Sequence, residues 1–237
     1  MLMGRSAAVI LAAGKGTRMG SQVHKQYLEL LGKPMLYYAI KAFETSTIDD
    51  IILVTGPGET DYCQKEIVER FGFSKVKAVT KGGKERYHSV YEGLKAVSDC
   101  DYVLIHDGAR PCITGEIIED AIKGAMKHKA CVVGMPVKDT IKISDENEYA
   151  HITPDRTRLW QIQTPQAFEY ELVSNAYKKL LSSESFQEGI TDDAMVVETM
   201  TREKVKLIRG DYTNIKVTTP EDMEIAEVLL NRIYGKK

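Results

Sequence analysis

Cysteine is scarce in this chain of 237 residues: four in all, Cys63, Cys100, Cys112 and Cys131, with no CxxC pair and no zinc-ligand spacing. Scattered thiols without a metal pattern are those of inert cysteines in a reducing cytoplasm. Long hydrophobic runs are missing as well, none approaching the roughly 20 apolar residues that span a bilayer. The opening MLMGRSAAVILAAG has Arg5 ahead of a short apolar core, as a signal peptide does, but that core runs straight into glycines and reads better as a first β-strand. Nor is there an excess of one charge, since 32 Lys and Arg against 34 Asp and Glu leave a formal net charge of -2. Such a balance gives no general field for nucleic acid or a membrane surface, so any bound anion must be held by a local cluster of cations. Two familiar glycine loops are lacking too. GKGTRMG fits neither GxxxxGK[ST] nor the whole of GxGxxG, because Met19 stands where the third glycine belongs, and this disfavours a P-loop kinase and a Rossmann dehydrogenase alike.

What is present begins with AVILAAGKGTRMGSQVHK, from Ala8 to Lys25. An apolar run ends in small residues, with Gly14, Gly16 and Gly20 freeing the backbone and Lys15, Arg18 and Lys25 following closely. Small residues let consecutive N–H groups approach a polyphosphate, and the cations can then neutralise it. The plainer alternative is a solvated connection between a strand and a helix. The stretch resembles the signature loop of the sugar-nucleotidyltransferase superfamily, a strand followed by AAGxGxRM and then a lysine. Ala12, Ala13, Gly14, Gly16, Arg18 and Met19 fill that pattern, and Lys25 supplies the lysine.

A 43% hydrophobic content is ample for one core, and we expect a single domain over 1–237. Apolar runs at residues 8–11, 51–55, 75–80, 102–106, 130–137 and 205–210 read as strands. Helices are expected between them, at 35–43 after Pro34 in the first turn, up to about Arg70, and at 114–127 with Thr114 as cap. A further strand, LWQIQ, and QTPQAF then lead into a helix over 170–181, Thr191 caps the next one, and Thr219 with Pro220 opens the last. The pattern is α/β: a Rossmann-like, mostly parallel sheet flanked by helices. Between the fifth strand and LWQIQ, residues 140–144 and 149–153 alternate around the polar turn Asp145 to Glu148, which reads as a β-hairpin. Because an isolated hairpin is marginal in water, we expect residues 138–158 either to project as an arm onto a second copy of the chain or to fold back on their own sheet.

Two strand ends carry chemistry, and in an open sheet the loops there border the ligand crevice. KGGKERYHSV places Gly82 and Gly83 after a strand, with Arg86 and Ser89 at the start of a helix, where backbone donors favour an anion. An ordinary strand-to-helix turn is the alternative. Asp107 ends an apolar strand in HDGARP, where one carboxylate suits the Mg²⁺ that accompanies a nucleoside triphosphate. Its alternative is a helix cap, for which Thr114 is better placed. Arg110 has the planar fork that suits a phosphate. For Asp192 and Asp193 the expectation is capping of the helix they precede.

Taken together, AAGKGTRM, HKQYL, GGKERYHSV, HDGARP, PVKDTIK, TPDRTRLWQIQTPQAF, ITDDA and NIKVTTPEDM resemble, in this order, the methylerythritol-phosphate cytidylyltransferases of non-mevalonate isoprenoid biosynthesis. Ribitol-phosphate cytidylyltransferases share most of these motifs, and a non-catalytic nucleotide-binding regulator on the same fold is the reading of another class. The resemblance implies in-line attack of a polyol phosphate on the α-phosphorus of CTP, with Arg18 and Lys25 along the triphosphate, Lys216 on the α-phosphate and Asp107 positioning Mg²⁺. It implies that Gly82, Gly83 and Ser89 read the pyrimidine. It also implies that the polyol phosphate lies between Asp107, Arg110, Thr191 and Lys216 of one subunit and Thr140, Arg156 and Thr164 of the partner's arm in a homodimer. No histidine is assigned a catalytic role, since a phosphate monoester is largely dianionic near neutral pH. Lys84 departs from the acidic residue common after the GG pair. Gly108 stands where alanine is common, a change expected to matter little sterically.

Overall fold

Near-continuous apolar runs become strands buried on both faces, and the residues between them become the helices that cover those faces. The computed structural model describes residues 4–14 and 24–235. After β1 (Ser6–Ala12), a 3-10 turn over Lys25–Tyr27 leads to the small paired strands β2 (Glu29–Leu30) and β3 (Lys33–Pro34). Helix α1 (Met35–Glu44), β4 (Asp50–Thr55), α2 (Thr60–Tyr62) with its π-helical continuation Cys63–Glu69, and β5 (Val76–Lys81) follow. Then come α3 (Arg86–Ala96), β6 (Tyr102–Asp107), α4 (Gly115–His128) and β7 (Ala130–Pro136). The chain closes with β8 (Ile143–Ser144), β9 (Ala150–Ile152), β10 (Trp160–Glu169), α5 (Tyr170–Leu180), α6 (Asp193–Thr201), β11 (Lys206–Arg209) and α7 (Pro220–Tyr234).

The main sheet runs β11-β7-β10-β6-β1-β4-β5. All neighbours are parallel except β10, which lies antiparallel between β6 and β7. Its register breaks between Ile162 and Gln166, where Pro165 has no N–H to give to the ladder. QTPQAF is thus the second half of a ten-residue strand rather than only a lead into the helix.

Alternation along the strands divides the core in two. Ala8, Ile10, Leu53 and Leu104 pack with Leu36, Ile40 and Phe43 of α1 and Ile118 and Ile122 of α4. Ala7, Val9, Val54 and Val103 pack on the other face with Val90 and Leu94 of α3, Tyr177 of α5 and Val197 of α6. At the close approach of α3, a Cβ on Gly93 would collide with Val9 and come 2.9 Å from Val54 Cγ2, so only glycine fits.

Local signals are met with small shifts. Thr114 caps α4, and Thr219 with Asp222 forms a capping box ahead of α7, with Pro220 in its first turn. Pro34 is the extended residue before α1 rather than part of its first turn, because Lys33 and Pro34 pair with Glu29 and Leu30. Gly108 corrects an expectation: a Cβ there would lie 2.9 Å from Leu11 O and 2.8 Å from Leu36 Cδ1, so exchange for alanine is not sterically neutral. Among the described residues no helix is long and apolar enough to cross a membrane.

Candidate active site

The parallel strands end on one side of the sheet, and a cavity of about 770 Å³ opens there. Ala12, Ala13 and Gly14 reach it from the end of β1, Gly82 and Gly83 from the turn between β5 and α3, Ser89 from the first turn of α3, and Asp107 from the tip of β6. Lys25 and Lys216 border it as well, although 191 positions separate them in sequence. Gly16 and Arg18 fall outside the described residues.

The glycine pair is held by its own helix. Gly83 N–H donates to Ser89 Oγ at 3.1 Å, and that hydroxyl donates to Glu85 O at 3.2 Å. A Cβ on Gly82 would come 2.7 Å from Ser89 Oγ and 2.8 Å from Ala13 Cβ, and one on Gly83 would collide with His88. The turn therefore offers bare main chain to whatever enters.

Opposite it stands Asp107, between two cations. Lys216 Nζ donates to its Oδ2 at 2.7 Å, and Arg86 Nε and Nη2 approach Oδ1 at 3.4 Å each. Burial alone would raise this carboxyl, but Arg86 and Lys216 outweigh it and hold Asp107 well below the usual carboxylate range. Arg86 also makes a bidentate pair with Asp193, both bonds at 2.8 Å, and Tyr177 Oη donates to Asp193 at 2.5 Å. Burial works against the Arg86 charge, yet Asp193 and Asp107 more than offset it. Asp193 is completely buried. It is thus no helix cap, contrary to expectation. The cap of α6 is Asp192, which accepts from Met195 N–H at 2.9 Å, so Thr191 is not the cap either. Thr191 lies exposed just before it.

Behind Asp107 a hydrogen-bonded chain fixes a tautomer. His106 Nε2–H donates to the Arg110 carbonyl at 3.3 Å, which leaves Nδ1 of the neutral ring to accept from Thr164 Oγ1 at 3.0 Å, while Asp107 N–H donates to the same Oγ1 at 3.1 Å. Burial lowers His106 to about 4, opposed by Asp107, and the ring is neutral at ordinary pH. This corrects the placement of Thr164: it is buried in the sheet beside its own Asp107 and is not on the arm. Arg110 is nearly buried too. Its guanidinium donates to Asn214 O at 2.7 Å and Ile162 O at 3.5 Å, bracing the segment that carries Lys216.

Thr140 and Arg156 are apart from the cavity. Strands β8 and β9 form a separate two-stranded sheet, residues 138–153 are exposed throughout, and the hairpin projects instead of joining the main sheet. Arg156 Nη1 donates to Lys138 O at 2.7 Å and ties the base of the arm.

Sequence reasoning placed Arg86 at the start of α3 but gave it no role, and it missed the pairing with Asp193. A basic residue in the first turn of a helix, where the dipole disfavours it, was the one available signal that a carboxylate from elsewhere meets it.

The chain that carries this site matches a known protein family. Residues 6–232 fit the family model of 2-C-methyl-D-erythritol 4-phosphate cytidylyltransferase. The chain belongs to that family. The enzyme of this name from Caldanaerobacter subterraneus is 53% identical over 230 residues, covering 95% of this chain and 99% of the relative. The crystal structure of 4-diphosphocytidyl-2C-methyl-D-erythritol synthase from Anaerococcus prevotii superposes with a TM-score of 0.83 at 36% identity, covering 96% of each chain. The cytidylyltransferase from Thermus thermophilus is 26% identical with a TM-score of 0.76, covering 94% of this chain and 98% of that one. As a member of the cytidylyltransferase family, this chain is a nucleotidyltransferase with the α/β fold of those enzymes.

Proposed function

We propose that the chain joins CTP and 2-C-methyl-D-erythritol 4-phosphate to give CDP-methylerythritol and pyrophosphate, in the cytoplasm and as a homodimer. The observation that carries this reading is the meeting of Lys25, Lys216 and Asp107 with the Gly82-Gly83 main chain around one cavity. An oxygen of the polyol phosphate forms a bond to the α-phosphorus while the bond from that phosphorus to the bridging oxygen breaks, and the electron pair leaves with pyrophosphate. No enzyme nucleophile takes part. The chain's task is to offset repulsion between two anions and to stabilise charge growing on the α-phosphoryl oxygens.

Lys216 is poised for that work. Its ammonium rests on Asp107 in the free protein and can shift to the α-phosphate when nucleotide enters. Lys25 lies along the triphosphate, with Arg18 assigned there by its motif, and Gly82, Gly83 and Ser89 form the base-reading turn. Holding both reactants also lowers the entropic part of the barrier.

A divalent cation, Mg²⁺ in this reading, fits the donor set. Among the described residues no group of three or more His, Cys, Asp or Glu could hold a metal ion, whereas Mg²⁺ takes one carboxylate and completes its shell with phosphates and water. Asp107 would be that carboxylate once Lys216 shifts to the nucleotide, and the ion would contribute neutralisation of triphosphate charge. The polyol phosphate is assigned to Asp107, Lys216, Thr191 and Arg110 with Thr140 and Arg156 of the arm of a second copy. For Arg110 this requires the guanidinium to give up a main-chain carbonyl it now holds.

The test is pyrophosphate release from CTP and Mg²⁺ with methylerythritol phosphate and ribitol phosphate assayed side by side. Release only with the second would move the acceptor to ribitol phosphate, and tight CTP binding without turnover of either would make the chain a nucleotide sensor.

A further inference from the structure

Beside the cavity lies a second polar cluster that the reaction leaves unused, and it is centred on Glu59 at the start of α2. The Glu59 side chain is only 13% exposed, and donors from the distant turn that holds Gln26 and Tyr27 and from nearby Gly56 converge on it. Tyr27 Oη donates to Oε2 at 2.8 Å, while Gln26 Nε2 and Gly56 N–H reach the same oxygen at 3.3 Å each. His24 Nδ1 lies 2.7 Å from Oε1. With its proton given to Glu59, Tyr27 Oη accepts from the Cys63 thiol, 2.8 Å away. Burial pushes that thiol up to about 11, which keeps it protonated and able to donate.

The two residues that follow Lys25 in its turn, Gln26 and Tyr27, are therefore both hydrogen-bonded to one carboxylate. Lys25 itself faces the other way, and its Nζ donates to Val217 O at 3.0 Å, beside Lys216. Successive residues of a 3-10 turn diverge by about a third of a circle, so gripping Gln26 and Tyr27 fixes the direction of the lysine before them. Gln26 makes a second tie, its Nε2 donating to Ala12 O at 2.6 Å. Ala12 ends β1, and His24 and Gln26 stand where the chain returns from the glycine-rich segment. The Gln26 amide thus ties the end of β1 to the Lys25 turn and to the start of α2.

We infer that Glu59 is a positioning residue for the nucleotide site, a clasp that aims Lys25. The inference rests on the cytidylyltransferase reading, and it makes Glu59 matter for CTP and not for the acceptor. It is tested with Glu59→Gln, which keeps the size but turns an NH₂ toward donors, and with Tyr27→Phe, which removes one hydroxyl. Steady-state pyrophosphate release is measured with each substrate varied, together with CTP binding by calorimetry.

The expected result for Glu59→Gln is a fall of roughly tenfold or more in kcat/KM for CTP, with weaker calorimetric binding and the KM for the acceptor within about twofold of wild type. Tyr27→Phe shifts the same quantities in the same direction by a smaller factor, and it decides the matter if Glu59→Gln does not fold. A purely structural role would lower kcat through fewer active molecules and leave both KM values in place. That outcome, or wild-type CTP binding in both variants, overturns the clasp. Wild-type protein that neither binds nor consumes CTP overturns the cytidylyltransferase reading itself, and the clasp with it.

Discussion

Arg86 and Asp193 stand 107 positions apart in the chain and meet through two hydrogen bonds of 2.8 Å, one from each terminal guanidinium nitrogen. The pair joins the first turn of α3 to the first turn of α6 and leaves Arg86 facing Asp107. Truncating one partner strands the other, so Asp193→Ala should destabilise the fold by about 3 kcal/mol, the lower end for a buried pair because Arg86 borders the cavity. Urea unfolding checks this, and an unchanged midpoint would show that the pair is replaceable.

Lys25→Ala and Lys216→Ala should each lower turnover roughly 100-fold or more, the scale for removing one donor to a charged transition state. Near-normal pyrophosphate release in both variants would contradict the assigned roles.

His106 makes stability depend on pH. Its pKa in the folded chain, about 4, lies below the ordinary 6.5, so between those values the unfolded chain binds the extra proton. The contribution is fully present above pH 6.5 and is lost as pH falls toward 4, a loss of about 3 kcal/mol when complete. Unfolding free energies at several pH values should fall less steeply across this window for His106→Gln than for wild type. Parallel slopes would place the dependence on other groups.

Gly108→Ala should cost about 1–3 kcal/mol, because Gly108 N–H is already bonded to Leu11 O at 2.8 Å and an added methyl has to push that contact apart. A wild-type melting temperature would show that the loop shifts freely.

For the arm, the expectation is complementation. Arg156→Ala and Lys216→Ala, each weak alone, should on co-expression recover about a quarter of wild-type activity, since half the dimers are mixed and each mixed dimer keeps one unaltered site. No recovery would mean that each chain builds its site alone. Ile143, Tyr149 and Ile152, exposed by 50%, 73% and 48%, are the apolar side chains for a second copy to cover.

What could be read from the sequence was what neighbours in the chain decide. Thr114 and Thr219 announce helix starts through side chains that satisfy N–H groups three residues on, and Asp107 stands at the end of an apolar run. The unread part depended on contacts between distant segments. Asp193 sits in an acidic pair that looks like a cap, and only the packing of α3 against α5 and α6 gives it Arg86 and Tyr177. Thr164 follows a polar strand and looks available, yet the antiparallel placement of β10 buries it next to β6. Glu59 has no motif around it at all.

Strand β7 ends at Pro136 directly opposite Trp160, where β10 begins. The chain therefore leaves the sheet and comes back at the same rung, and everything in between is a detour that strand order does not constrain. Lengthening, trimming or exchanging that detour leaves the nucleotide-handling framework intact. If the arm serves a second copy as proposed, acceptor choice and subunit pairing can thus diverge between lineages while the phosphate chemistry stays as it is.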